Sequence, residues 1–147
     1  MNNLITVLIL ILMGAQFGIA LTASIIVHPI LQIAKKETAI EVFKPFFNKT
    51  HSCVLILSII TTLIALIYST STGNWWWFGI AMLMHLNGPY ALFFMMPTNK
   101  RLMNKKVDPL SEKTARDIQK WGGLHLVRTI LNGLIFIAFI VLAVYTK

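Results

Sequence analysis

The chain has 147 residues, 56% of them hydrophobic and only 12% charged, with a net charge of +8 and a mean hydropathy of +0.73. That balance excludes an ordinary water-soluble domain, and the single cysteine, Cys53, excludes an intrachain disulfide and a multi-cysteine metal site. The excess of cations is placed as membrane topology would place it, so it is no sign of a nucleic-acid partner.

Apolar runs cover 4–27, 53–68, 75–96 and 124–144. A membrane-crossing helix needs about 20 residues. The chain therefore reads as one transmembrane domain over 1–147, with spans at about 4–28, 51–70, 75–97 and 122–145 and connections at 29–50 and 98–121. The expected fold is all-α, a polytopic membrane four-helix bundle.

The first span is expected to be a retained helix. No lysine or arginine precedes it, its apolar run exceeds a signal-peptide core, and Leu21-Thr22-Ala23 is a poor cleavage site. Gly14 and Gly18 have the spacing of a close helix contact, and Gly14, Leu21, Ser24 and His28 share a face. The following connection carries Lys35, Lys36, Lys44 and Lys49. Within it, residues 37–47 set Ile40, Phe43, Phe46 and Phe47 among charges, an interfacial pattern that Pro45 is expected to interrupt.

On the second span His51, Leu55, Ser58, Thr62 and Ser69 lie along one side. A short connection without cations leads to Trp75-Trp76-Trp77, which reads as an interfacial aromatic belt. The third span holds His85, Asn87, Gly88, Pro89 and Tyr90. On an ideal helix His85 and Asn87 point to nearly opposite sides, and Pro89 removes a backbone donor.

The next connection is rich in lysine and arginine, and Asp108-Pro109 looks like a helix start. Glu112 and Arg116 form an i,i+4 pair, and Gly122-Gly123 is expected to bend the helix. Trp121, His125, Arg128 and Asn132 then fall on one stripe, which favours an inward polar site over an arginine that merely snorkels.

Eleven of the thirteen lysines and arginines lie in the first and third connections. The positive-inside rule makes those connections cytoplasmic and puts both termini on the non-cytoplasmic side. The four histidines, one per span, then differ in depth. His28, His51 and His125 sit near the cytoplasmic side. His85 lies roughly 16 Å deeper at a rise of about 1.5 Å per residue. Four ligands at one depth are excluded, while a metal site of His28, His51 and His125, or a haem held by two histidines, stays open.

The segment Pro97-Thr98-Asn99-Lys100-Arg101-Leu102 resembles a signature of a family of small four-helix membrane proteins that includes the fungal anthrone oxygenases. His28-Pro29, Pro89-Tyr90 and Trp121-x-x-x-His125-x-x-Arg128-Thr129 fit the same family, end to end along the chain. The resemblance implies oxygenation of a reduced polycyclic aromatic to a quinone. By position it makes His28, Asn99, His125 and Arg128 the candidate catalytic residues, with Tyr90 and Trp121 as walls. Asn132 joins the substrate-binding set through its stripe. A cap or turn role for Asn99 is the competing reading.

The expectation is an oxidoreductase or oxygenase acting on a lipophilic, aromatic small molecule near the cytoplasmic leaflet of a bacterial inner membrane. The cofactor is left unknown, with none required or a haem or metal ion bound. The bilayer is a partner, and a homo-oligomer is left open. A haem- or metal-binding protein and a non-enzymatic assembly partner are the alternatives. Proton-coupled export is disfavoured because no span holds aspartate or glutamate.

Overall fold

Four helices account for nearly all of residues 2–145, the part of the chain that the computed structural model describes. They are α1 (Asn3–Ile33), α2 (Lys36–Thr72), α3 (Trp76–Met103) and α4 (Glu112–Tyr145), each long and apolar enough to cross a membrane. There is no strand among the described residues. The helix α1 packs on α2 and α4, and α3 packs on the same two, which closes the four-helix bundle. Leu4, Ile11, Ile67, Phe93 and Leu134 face outward, as lipid allows and water would not.

The interior is layered. One apolar cluster holds Ile9, Met13, Ala65, Trp77, Ala81 and Phe139. A second, toward the other end, holds Leu31, Phe43, Leu102, Ile118 and Trp121. Between them each helix contributes polar side chains, and Gln16, Ser58, Asn87, Thr129 and Asn132 are all buried.

Local chemistry explains most helix ends. Gly73 stops α2 at φ 75° and donates its N–H to the Ser69 carbonyl at 2.9 Å, a left-handed cap that glycine takes without steric cost. Asn74 Oδ1 accepts the Trp76 N–H at 3.2 Å and starts α3. At α4 the cap is Ser111, whose Oγ accepts the Thr114 N–H at 3.2 Å. The expected start at Asp108-Pro109 is corrected. Asp108 Oδ1 instead accepts the Leu110 N–H at 3.0 Å in a turn before the helix.

Other expectations also change. Pro45 does not interrupt α2, which continues through it. Pro45 and Glu41 are both exposed, so the carbonyl that loses its partner at residue 41 faces outward, where the loss is tolerable. Helix thus fills most of 29–50, and the chain leaves it only at Ala34 and Lys35. Trp75 and Trp76 are exposed as a belt requires, but Trp77 is buried between Tyr68, with ring centroids 5.1 Å apart, and Phe139, at 5.8 Å.

The glycines act through neighbours that the sequence pattern did not name. Phe136 sits over Gly14 and Phe17 over Gly133, while Gly18 meets nothing. The close contact is therefore a pair of phenyl rings seated on opposite glycines, with their centroids 5.9 Å apart. Nor do Gly122 and Gly123 break α4, which runs unbroken past them. Gly122 is where the His28 ring rests, and a Cβ there would overlap the imidazole.

This predicts opposite signs for two neighbouring substitutions. Gly122→Ala should displace the His28 ring and lower stability by about 1–3 kcal/mol, the usual cost of overpacking. Gly123→Ala, pointing into open space, should be neutral or stabilising by about 0.5–1 kcal/mol. Thermal unfolding of the two variants in detergent distinguishes them.

Candidate active site

Three prolines shape the polar layer. A π-turn over Ala23–Val27 in α1 runs into His28-Pro29, and its wider ring is closed by the His28 N–H on the Ala23 carbonyl. A second π-turn over Ala91–Met95 in α3 runs into Met96-Pro97, closed by Met96 N–H on the Ala91 carbonyl. Proline lacks the N–H for the tighter bond and pushes against the carbonyl four residues back, so the helix widens ahead of it. In α3 a 3-10 turn over Met84–Leu86 also precedes Pro89.

The first π-turn sets Ser24 against α4. Ser24 Oγ lies 3.3 Å from His125 Nδ1 and 2.7 Å from Thr129 Oγ1. Thr129 Oγ1 in turn lies 2.9 Å from the Ala20 carbonyl. Proton counting orders this chain. A carbonyl only accepts, so the threonine hydroxyl donates to Ala20. The serine hydroxyl must then donate to Thr129, which leaves His125 Nδ1–H to donate to Ser24. His125 is thereby held as the Nδ1–H tautomer, with the lone pair on Nε2 free. The ring lines a cavity and lies tilted by 44° against Trp121, with centroids 4.9 Å apart.

Arg128 is one turn further along α4. It is half-buried and, among the described residues, makes no hydrogen bond or ion pair. Its neighbours leave two spaces. One, of about 30 Å³, is lined by Ala20, Trp121, His125, Arg128 and Asn132 with residues of α2 and Met95. The other, of about 120 Å³, is lined by Ser58, His85, Asn87, Gly88 and Ala91 among others. His51, Val54 and Arg128 border both, so the two adjoining spaces make up a chamber that shares these walls. At about 10–15 Å³ per water, the first space admits about two or three waters and the second several.

The 3-10 turn overturns one expectation about α3. His85 and Asn87 line the same space, because the tighter turn rotates one relative to the other. His85 keeps its separate depth, since its partner Thr62 lies eleven residues along α2 from His51, but the space it lines extends to His51 and Arg128. Its Nε2 lies 2.9 Å from Thr62 Oγ1. Asn87 Nδ2 donates to Asn132 Oδ1 at 2.9 Å, and Ser58 donates to Gln16 Oε1 at 3.2 Å. Gln16 was not singled out from the sequence. A glutamine inside an apolar run was the signal available.

The remaining candidates lie around this chamber. The His28 ring has the Ile118 backbone as a hydrogen-bond partner, its Nε2 is buried without one, and it stands 6.2 Å from Trp121. Tyr90 donates its hydroxyl to the Leu124 carbonyl at 2.9 Å. Asn99 is buried with Oδ1 unpartnered. None of these three lines either space. Beside Asn99, Arg101 grips Asp117 through two bonds, Nε to Oδ2 at 2.7 Å and Nη2 to Oδ1 at 2.6 Å, and so ties α3 to α4.

The three-histidine metal set is not assembled. Among the described residues no group of three or more His, Cys, Asp or Glu side chains is placed to hold a metal ion. His51 stacks on Phe47 with centroids 5.8 Å apart, while an indole, that of Trp121, lies against both His28 and His125.

Four apolar helices packed as a bundle define a multi-pass integral membrane protein. The chain belongs to the anthrone oxygenase family, whose profile matches residues 43–140. No curated protein and no solved structure matches the chain. The matched stretch contains His51, His85, Asn99, His125, Arg128 and Asn132 and leaves His28 outside.

The hydrogen-bond order around His125 has a direct measurement. In protein carrying ¹⁵N-labelled histidine, His125 should show a protonated Nδ1 and an unprotonated Nε2, and Ser24→Ala should erode that preference. A wild-type ring protonated on Nε2 would contradict the assignment.

Proposed function

We propose that this protein is a membrane-embedded oxygenase whose substrate is a lipophilic aromatic ketone bearing an acidic C–H, the anthrone class, and that the reaction takes place between His125 and Arg128. The observation that carries this reading is a guanidinium without an ion pair among the described residues, lining the same cavity as a histidine whose Nδ1 is engaged by Ser24. A buried charge without a partner is costly. It becomes useful when the ligand develops the opposite charge.

In this reading His125 Nε2 takes the carbon-bound proton, and the electron pair moves onto the ketone oxygen as an enolate. Arg128 holds that oxyanion, aided by the free Nδ2 of Asn132, as donors aimed at developing charge do. The electron-rich carbon then reduces dioxygen and forms a C–O bond. Loss of water from the substrate hydroperoxide, with removal of the second hydrogen from that carbon, leaves a new carbonyl. The balance is CH₂ plus O₂ to C=O plus H₂O, with the substrate as reductant.

Trp121 forms an aromatic wall, and His28 fixes the face of α4 behind it through Gly122. The carried-over roles of Asn99 and Tyr90 are indirect here, through the position of α3 against α4. We further propose that the connections at 29–50 and 98–121 face the cytoplasm of a bacterial cell, with the chamber in that half of the bilayer. A purely structural role suits the Gln16–Ser58 and Asn87–Asn132 bonds, but not Arg128, whose side chain bonds to no other helix among the described residues.

The test uses protein in nanodiscs with anthrone. Arg128→Ala should lower kcat about 10²–10³-fold and His125→Gln about 10²–10⁴-fold, with unfolding temperatures unchanged. Without oxygen, the wild type should still exchange the substrate's acidic hydrogens for deuterium, and His125→Gln should not. Wild-type oxygen uptake and exchange in both variants would sink the proposal.

A further inference from the structure

We infer that the wall between α2 and α3 contains a lateral window, through which a bilayer-dissolved ligand carrying a carbonyl or phenolic oxygen reaches the chamber. The helix α3 packs on α2 at both ends, through Trp76–Leu83 and through Met96–Met103. Between those contacts lies the distorted stretch, a 3-10 turn at Met84–Leu86 and a π-turn at Ala91–Met95, and the π-turn packs on α4. The larger space opens at this stretch. Its rim carries exposed Leu55 and His51 on α2 and exposed Gly88 on α3.

The composition of the rim fits passage from lipid. Leu55 is 52% exposed, and a Cβ at Gly88 would meet nothing within 4 Å, so the outer edge between Leu55 and Gly88 is apolar and unobstructed, with His51 as its one polar member. Inside, the lining turns polar through Ser58, His85, Asn87 and Arg128, and Asn87 Oδ1 is unpartnered. A ligand would thus leave lipid, exchange it for an apolar edge, and gain polar contacts only as its oxygen reaches Arg128.

The hydrogen bond that crosses this stretch joins His85 Nε2 to Thr62 Oγ1 at 2.9 Å. Thr62 Oγ1 also bonds the Ser58 carbonyl at 2.9 Å. The threonine proton serves that carbonyl, so the ring N–H donates to the threonine oxygen. This bond ties α2 to α3 beside the space that His85 lines, so parting it would widen the window. The oxygenated nature of the ligand rests on the reading above, whereas the window does not.

Two measurements separate them. In proteoliposomes, association of anthrone followed by quenching of tryptophan fluorescence should slow about tenfold in Gly88→Phe, an added barrier of about 1.4 kcal/mol. Gly79→Phe, equally open but outside the window, should associate at the wild-type rate. Thr62→Val, which removes the bond to His85 without adding bulk, should associate faster. Independently, a phospholipid with a diazirine in its acyl chain should label His85 and Ala91 in the wild type, and Gly88→Phe should prevent it. If anthrone binds but neither variant changes its rate and labelling spares the chamber, the window is wrong and the site stands. If anthrone never binds while lipid labels the chamber, the window stands and the proposed chemistry fails.

Discussion

A bilayer offers no hydrogen bonds, so each polar side chain in the middle of these helices must find its partner on another helix, on its own backbone or in a ligand. That demand organises the whole bundle. The apolar clusters at its two ends hold the helices together, and the polar layer between them decides how they face one another. Ser58 on α2 meets Gln16 on α1, Thr62 meets His85 on α3, and Asn87 meets Asn132 on α4. Each bond joins neighbouring helices, so shifting one would strand groups on two. An unpaired buried polar group costs about 1–3 kcal/mol, and that cost fixes rotation more firmly than interchangeable leucines and isoleucines can.

The same layer contains groups that the bundle leaves without protein partners. Asn132 Nδ2, Asn87 Oδ1 and Gln16 Nε2 are buried and unpaired, and Arg128 bears a full charge with no acid among the described residues to meet it. In a structural network this would be a defect. The surrounding bonds are well formed, and the unpaired atoms of Asn87 and Asn132 belong to side chains that border the chamber. Unspent donors and acceptors around a cavity are what a polar ligand requires.

The overall fold was legible because hydropathy over 20-residue lengths depends on composition and not on packing. The Trp121–His125–Arg128–Asn132 stripe was legible for a related reason, since α4 stays regular from Glu112 to Tyr145 and helical phase transfers directly. Phase failed on α3. There the 3-10 and π-turns change the rotation per residue, so His85 and Asn87, nearly opposite on an ideal helix, open on one space. Prolines 29, 89 and 97 were visible in the sequence, but whether a proline kinks, widens or is absorbed depends on its surroundings. Pro45, in a continuous and exposed stretch of α2, is absorbed. The seat of His28 on Gly122 was beyond reach for a different reason. It joins residues 94 positions apart on helices whose separation only the finished bundle sets.

The chamber is also smaller than the ligand class proposed for it. Spaces of about 30 and 120 Å³ hold water, not three fused rings, so the bundle must open to bind. The distorted stretch of α3 is suited to that movement. Its π-turn has already exchanged regular helical bonds for wider ones, and its side chains at Leu92, Phe93 and Phe94 face lipid rather than a tightly packed neighbour. The regular helix α4, by contrast, is held by the Arg101–Asp117 fork at one end and by Phe139 in the apolar cluster at the other. Base and cation therefore ride on the rigid element, and the wall that must yield is the irregular one. That division lets His125 and Arg128 keep their spacing while a bulky ligand is admitted, which a bundle of four equally regular helices would not provide.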